Sequence, residues 1–293
     1  MLNRFFAAIR RMFGGDGNAP HIEDAADLGA LNQRFLPEDT QNPNHPLATR
    51  TRSLSEPAAE EVIDFSGNHG IVVHQPRFLW CLDNGHGSEQ PGKRSPKFED
   101  GTQFEEWEFN RDIVRRIADK LDEIGVQNFI VVPEDQVGSF LKERVSRANQ
   151  QPSPLGLPKI FLSVHSNAAG SNEWRSDARG LEVWHYPNSD SGKPLASTFH
   201  RKLLAYLPTW EDRGIKSHTS GSSKIFYVLA NTSMPAVLTE SGFYTHPEEA
   251  KLLMQEETRH TIAMAHVAAI LKIEQEGYEG QEIYPKAIQV ADS

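Results

Sequence analysis

Three short strings carry side chains that could do chemistry together: Asp83-Asn84-Gly85-His86-Gly87, Ser163-Val164-His165-Ser166-Asn167 and Leu238-Thr239-Glu240-Ser241-Gly242-Phe243. Imidazole nitrogens and carboxylate oxygens are the donors a catalytic zinc ion takes, three from the protein with a fourth position left to water. The chain has twelve histidines, so a histidine alone says little. His86 and His165 are set apart by position, because each directly follows an apolar run. His86 also sits between glycines, whose missing side chains let the backbone turn and a ligand approach. Ser163 alternates to the same side as His165. Two histidines and a glutamate at three strand ends make the pattern of a catalytic metal centre.

The elements that must position them are legible. Phe78 to Leu82, Ile160 to Leu162 and Ala236 to Leu238 are continuous apolar runs, the signature of strands buried on both faces of a parallel sheet. Open α/β sheets put their chemistry just beyond the carboxyl ends of such strands. From Arg77 onward, strand and helix signals alternate. The pattern predicts an α/β fold, a mostly parallel (mixed), twisted sheet with helices on both faces, in a single catalytic domain spanning residues 77–273. The clearest helix runs from Gln103 to Ile124, with Thr102 and Glu105 spaced as a capping box and Gly125 as C-terminal cap. Phe109, Ile113, Ile117, Leu121 and Ile124 form its core stripe. Further strands are expected at Asn128 to Val132, Leu181 to His185 and Lys224 to Leu229. Helices are expected near Ser139 to Asn149, Pro194 to Tyr206 and Glu248 to Lys272.

Residues 1–76 read as an arm or linker, rich in Asn, Pro, Asp, Ser and Ala. Its first thirteen residues put Leu2, Phe5, Phe6, Ile9 and Phe13 on one helical face, a candidate for weak membrane-surface contact or for docking on the body. A weak hairpin is expected from Val62 to Phe65 and Ile71 to His74, around Ser66 to Gly70. Residues 274–293 read as a polar tail. Arg10 and Arg11 interrupt any signal-peptide core and no small-residue cleavage site follows, so no clear secretion signal is expected. No stretch is apolar for long enough to cross a bilayer.

Composition narrows the function classes. The formal charge is −10, and no Lys/Arg cluster exceeds a solvated helix face, which argues against nucleic acid as partner. The one cysteine, Cys81, lies inside an apolar strand. It reads as a small core residue and excludes both an intramolecular disulfide and a Cys-based zinc ribbon.

The third ligand should be a carboxylate, and the helix start offers Glu105, Glu106 and Glu108. Glu105 fits the cap and Glu108 the solvent face. Glu106 shares a face with Asn110 and could turn toward the strand ends. All three equally suit the positive end of a helix, so residue patterns leave the choice open. Glu240 ends the most apolar strand, where a carboxylate must face a cation or an arginine partner. Beside a metal-activated water it would serve as general base, returning the proton to a leaving amine.

Asp-x-Gly-His-Gly, a Glu with Asn four residues on, Ser-x-His-x-Asn and Glu-x-Gly-Phe together resemble the zinc-dependent N-acetylmuramoyl-L-alanine amidases of the Amidase_3 type. Arg147-Ala148-Asn149 and Arg213-Gly214-Ile215-Lys216 add to the likeness, which covers about Phe78 to Lys272. The resemblance implies Zn2+ held by His86, Glu106 and His165, with Glu240 as the catalytic glutamate. It also implies peptidoglycan as substrate, cleaved between the lactyl group of N-acetylmuramic acid and L-alanine. Asn84, Asn167 and Arg213 are candidate substrate or supporting contacts. His185 could stabilise an oxyanion or stand as a surface histidine.

The wall lies outside the cytoplasmic membrane, so phage-type release or another export route is expected. No long helix stands between His165 and Glu240 to block the site, so activity without an activator protein is expected. Two alternatives compete. A zinc carboxypeptidase-like peptidase would use His86, Glu89 and His165, because His86 to Glu89 is also an H-x-x-E pattern. A non-catalytic peptidoglycan-binding module would need none of these side chains.

Overall fold

In the computed structural model, residues 62–65, 71–137, 141–170, 172–187, 189–219, 225–278 and 288–290 are described. The expected N-terminal helix, the linker through Glu61 and the turn from Ser66 to Gly70 lie outside them. Among the described residues, strands β1 (Ile71–Val73), β2 (Leu79–Asn84), β3 (Asn128–Ile130), β4 (Lys159–Asn167), β5 (Leu181–His185), β6 (Asp212–Ser217), β7 (Ala236–Phe243) and β8 (Ile288–Val290) are interspersed with six α-helices. These are α1 (Glu106–Ile124), α2 (Leu141–Gln150), α3 (Gly192–Tyr206), α4 (Tyr227–Asn231), α5 (Pro247–Leu253) and α6 (Glu256–Glu276).

Six strands form one mixed sheet in the order β3-β2-β4-β7-β5-β6. The first four run parallel, β5 is antiparallel to β7, and β6 is parallel to β5. The alternation of side chains along the strands sorts the core into two layers. Trp80, Leu82, Ile160, Leu162, Val164, Val183 and Val237 pack against α1, α3 and α6. Cys81, Phe161, Trp184, Ala236 and Leu238 face α2 and α4. Cys81 is a buried free thiol whose pKa burial pushes up to about 12, as expected of a small core residue. Helix α6 is buried almost without interruption from Ile262 to Ile273, because α1 and α3 flank it while the sheet lies beneath.

The expected elements shift in instructive places. Helix α1 begins at Glu106, not Gln103. Glu105 holds the N-cap position without a side-chain cap bond, and the Thr102 hydroxyl bonds Asp100 instead. The apolar run expected as a strand at Lys224 to Leu229 gives the short helix α4, while strand β6 had no sequence counterpart. The hairpin does not form. Ile71–Val73 pairs antiparallel with Ile288–Val290, and the Ile63 backbone is instead held by the Tyr206 hydroxyl at 2.8 Å on both its N–H and its carbonyl. Nor does a polar tail start at Glu274. Helix α6 runs on to Glu276, and the buried Glu274 carboxylate accepts the Trp80 indole N–H at 2.8 Å and the Arg77 N–H at 2.7 Å. A fully buried tryptophan needs such an acceptor. Among the described residues no helix is long and apolar enough to cross a membrane.

His266, in the middle of α6, is fully buried. Its Nδ1 lies 2.7 Å from the Ile262 carbonyl and its Nε2 2.9 Å from the Thr239 hydroxyl. Burial pulls its pKa down to about 4 from the ordinary 6.5. On acidification the unfolded chain therefore takes up this proton first. The stabilisation from a neutral His266 is complete above pH 6.5 and drains away as pH falls toward 4, amounting to about 3 kcal/mol. In His266→Gln, urea unfolding at pH 7 and pH 4.5 should show a smaller acid loss than the parent, by on the order of 2 kcal/mol.

Candidate active site

Strand register sets the site. His165 of β4 and Glu240 of β7 are paired neighbours, and Asp83 pairs with Ser163 one level below. His86 follows β2 directly, in the left-handed region at φ 65, a conformation that a non-glycine residue holds only when its surroundings fix it. The fixing is visible. The His86 carbonyl accepts from Arg111 at 3.0 Å and also from Arg144. Arg144, fully buried, meets Asp83 at 2.6 Å and the Asn84 carbonyl at 2.9 Å. Gly85 must be glycine, since a Cβ there would overlap the His165 imidazole.

Glu106, the first residue of α1, lies between the two rings. Its Oε2 is 3.3 Å from His86 Nε2 and its Oε1 is 3.1 Å from His165 Nδ1. The tautomers follow from the outer partners. Gln90 Oε1, an acceptor, sits 2.7 Å from His86 Nδ1, so Nδ1 carries the proton and Nε2 keeps its lone pair. The Ser163 hydroxyl donates to Asp83 at 2.7 Å, and its oxygen lies 3.1 Å from His165 Nε2. That leaves the His165 lone pair on Nδ1. Two nitrogen lone pairs and a carboxylate thus converge, with donor atoms all within 4.8 Å of one another. Such a set is mutually repulsive without a cation at its centre, and these residues fit a metal ion.

The two central carboxyls are driven apart. Burial works to raise Glu106, but when His86 and His165 are protonated their charges and the hydrogen bonds they donate outweigh it and hold the carboxyl well below the usual range. Glu240 goes the other way: burial first, then the charges of Glu106 and Glu182, raise it well above the usual range. Its Oε2 is buried with no hydrogen-bond partner among the described residues. A carboxyl that is desolvated and open on one oxygen is suited to taking and giving protons.

The remaining candidates separate. Asn84 alternates to the opposite face of the sheet, where its amide donates to the Val132 carbonyl at 2.9 Å; it is not part of the cluster. Asn167 and Arg213 both bond Glu182, at 2.7 and 3.0 Å. His185 is buried rather than at the surface, with Nδ1 at the Tyr186 carbonyl. Glu89 is exposed and Glu105 faces Arg94 at 3.4 Å. Neither joins the metal-competent group. Arg144 and Glu182 were not foreseen. Arg144 follows Lys142 and Glu143 in an ordinary charged helix and Glu182 is a lone charge in an apolar strand, and the burial of each comes from distant partners.

Comparison with known proteins agrees with this geometry. The family model Amidase_3, described as N-acetylmuramoyl-L-alanine amidase, matches residues 81–272. The chain belongs to this family. Among curated relatives, the N-acetylmuramoyl-L-alanine amidase LytC of Bacillus subtilis is 34% identical over 177 residues, covering 59% of this chain and 31% of LytC. The chain thus spans about a third of that relative. The endolysin of Bacillus phage SPP1 is 28% identical, covering 67% of this chain and 66% of the endolysin. Among solved structures, the amidase AmiC2 of Nostoc punctiforme superimposes with a TM-score of 0.54 at 30% identity, covering 67% of this chain and 96% of AmiC2. The Amidase_3 family is one of metal-dependent amidases, and the His/Glu/His group is where this chain could hold a metal.

The Gly85 contact gives a test of the geometry. Gly85→Ala should keep the fold by circular dichroism while pushing the His165 ring aside. Metal affinity, measured by competition with a chromogenic chelator, should fall by about 10–100-fold, the size of effect expected when a ligand loses its orientation.

Proposed function

We propose that the chain hydrolyses the amide between the lactyl group of N-acetylmuramic acid and L-alanine of the peptidoglycan stem. In this reading His86, Glu106 and His165 hold a zinc ion. The carrying observation is the convergence of two histidine lone pairs and a carboxylate beside the buried, half-unpartnered Glu240. A two-histidine, one-carboxylate set suits zinc with a position left open. Zinc bound there would polarise the amide carbonyl and bring the pKa of water down to about 7.

The chain's own residues do the rest. Asp83, through Ser163, fixes the orientation of the His165 ring, and Gln90 does the same for His86. Glu240 accepts the proton of the attacking water and delivers it to the alanine nitrogen as the C–N bond breaks. The leaving amine would otherwise depart as an unstable anion, so this transfer lowers the barrier to C–N cleavage. Asn167 and Arg213 stand behind Glu240 through their bonds to Glu182. Helix α3 turns Leu195, Phe199 and Leu203 into the core on the far side of the sheet, which supports activity without an activator protein. The site of action is the cell wall, reached in the manner of an exported wall enzyme or a phage lysin.

The exposed position of Glu89 speaks against the carboxypeptidase-like set of His86, Glu89 and His165. Metal content should accordingly drop in Glu106→Gln and hold in Glu89→Gln; the reverse result would favour the peptidase. Glu240→Gln should bind metal normally while kcat falls at least ~100-fold. For the parent protein, mass spectrometry of digested peptidoglycan should reveal new alanine N-termini. Shortened stems instead would refute the amidase.

A further inference from the structure

Strand β6 carries an irregularity next to the site. Leu181 pairs with Asp212 and Val183 with Ile215, so Arg213 and Gly214 together oppose the single residue Glu182. Such a bulge bends a strand and re-aims its side chains. Gly214 takes φ 81, and a Cβ there would meet nothing within 4 Å, so its backbone conformation rather than lack of space calls for glycine. In a regular strand Arg213 and Lys216, three apart, would point to opposite faces. The extra residue turns both onto one oxygen, Glu182 Oε2, at 3.0 and 2.8 Å.

The other oxygen of Glu182 is already taken by Asn167 at 2.7 Å and by the Trp184 indole at 3.0 Å. One buried carboxylate therefore serves two cations, leaving a local excess of one positive charge. Both cationic side chains remain about a quarter exposed, at 25% and 22%. The Arg213 guanidinium lies 4.7 Å over the Phe243 ring, which leans it toward the end of β7. Glu182 is directly opposite Glu240 in the antiparallel β5–β7 pair, so the cations and Glu240 share one face of the sheet. At one to two strand spacings they stand about 5–10 Å from Glu240. Two residues of extended peptide cover on the order of 7 Å.

We propose that Arg213 and Lys216, gathered by the β6 bulge onto Glu182, form a carboxylate-binding subsite that recognises a free α-carboxylate on the stem residue after alanine. The proposal rests on the amidase reading for the identity of the peptide. It makes the chain selective for stems whose second residue is acidic over stems in which that group is amidated. Glu182 is the positioning residue of the pair, and the bulge is what makes the pair available.

Isothermal titration of the full chain with two peptides tests this without turnover: L-Ala-γ-D-Glu-L-Lys and its α-amide, L-Ala-γ-D-isoGln-L-Lys. The acid peptide should bind about ten-fold more tightly, the order expected for a charge-assisted contact at a partly exposed site. Arg213→Gln and Lys216→Gln should each lose most of that preference while staying folded by circular dichroism at the titration temperature, because one cation still meets Glu182 in each, and Arg213→Lys should retain more of it than Arg213→Gln. Equal affinity for the two peptides, a preference that survives both glutamine variants, or no binding of either at millimolar concentration would overturn the proposal. Failure of the peptidoglycan digest to yield alanine N-termini would count against the amidase reading instead, leaving the measured preference standing.

Discussion

Both histidines of the site lean on one buried cation. Arg144 comes from α2, on the opposite side of the loop from α1, and is fully enclosed. A guanidinium without water is tolerated only when its donors are met by a charge and good acceptors. Here these are the Asp83 carboxylate and the carbonyls of Asn84 and His86. The consequences spread in two directions. Through the His86 carbonyl, Arg144 and Arg111 keep that residue in a backbone conformation it would not choose. Through Asp83, the hydroxyl of Ser163 is oriented, and with it the His165 ring. One ion pair thereby braces both imidazoles, each by its own route, and a change in the packing of α2 would be felt at both.

The same economy governs the acidic groups. Glu106, Glu240 and Glu182 are all buried and near enough to feel one another, yet each is set differently. Glu106 has two imidazoles and is held ionised. Glu182 has Lys216 and Arg213, whose charges and hydrogen bonds overcome its burial and lower it. Glu240 is raised by burial and by the repulsion of the other two, which Lys93 offsets only in part. Pairs of carboxyls pushed apart by their surroundings take separate roles. In this chain the division is made by which strand or helix end supplies a partner, since all three side chains are chemically alike.

Much of this was legible in the sequence because the runs before His86, His165 and Glu240 are apolar without a break, which buried strands require. The Glu106 assignment was beyond local pattern. The start of α1 is set by backbone contacts folded back from the preceding loop: Arg94 bridges to Glu105, and the Glu106 N–H bonds the Lys93 carbonyl. A capping box read from Thr102 and Glu105 had no means of registering them, and the family resemblance supplied the choice instead. Strand β6 escaped notice because its bulge breaks the period of two. Helix α4 was mistaken for a strand because a short apolar run carries no period at all. Arg144 looked like any charge on a helix, since its burial is decided by β2.

Sheet direction explains why the two sides of the site differ in character. On the parallel side, β2 hands over to the loop that holds His86, while β4 carries His165 inside its paired span beside Glu240 of β7. The His86 backbone needs Arg144 to hold it, and the His165 ring takes its orientation from Ser163. Beyond β7 the direction reverses. Strand β5 therefore presents Glu182 from within its paired span, directly across from Glu240, with β6 hydrogen-bonded behind it. Side chains anchored inside a sheet are held more tightly than those on loops. His86 is the side chain of the group that sits on a loop, and there the bonds of its carbonyl to Arg111 and Arg144 take the place of a paired strand. The bulge in β6 works within the sheet, where one extra residue re-aims Arg213 and Lys216 onto Glu182 while β5 keeps its register with β7.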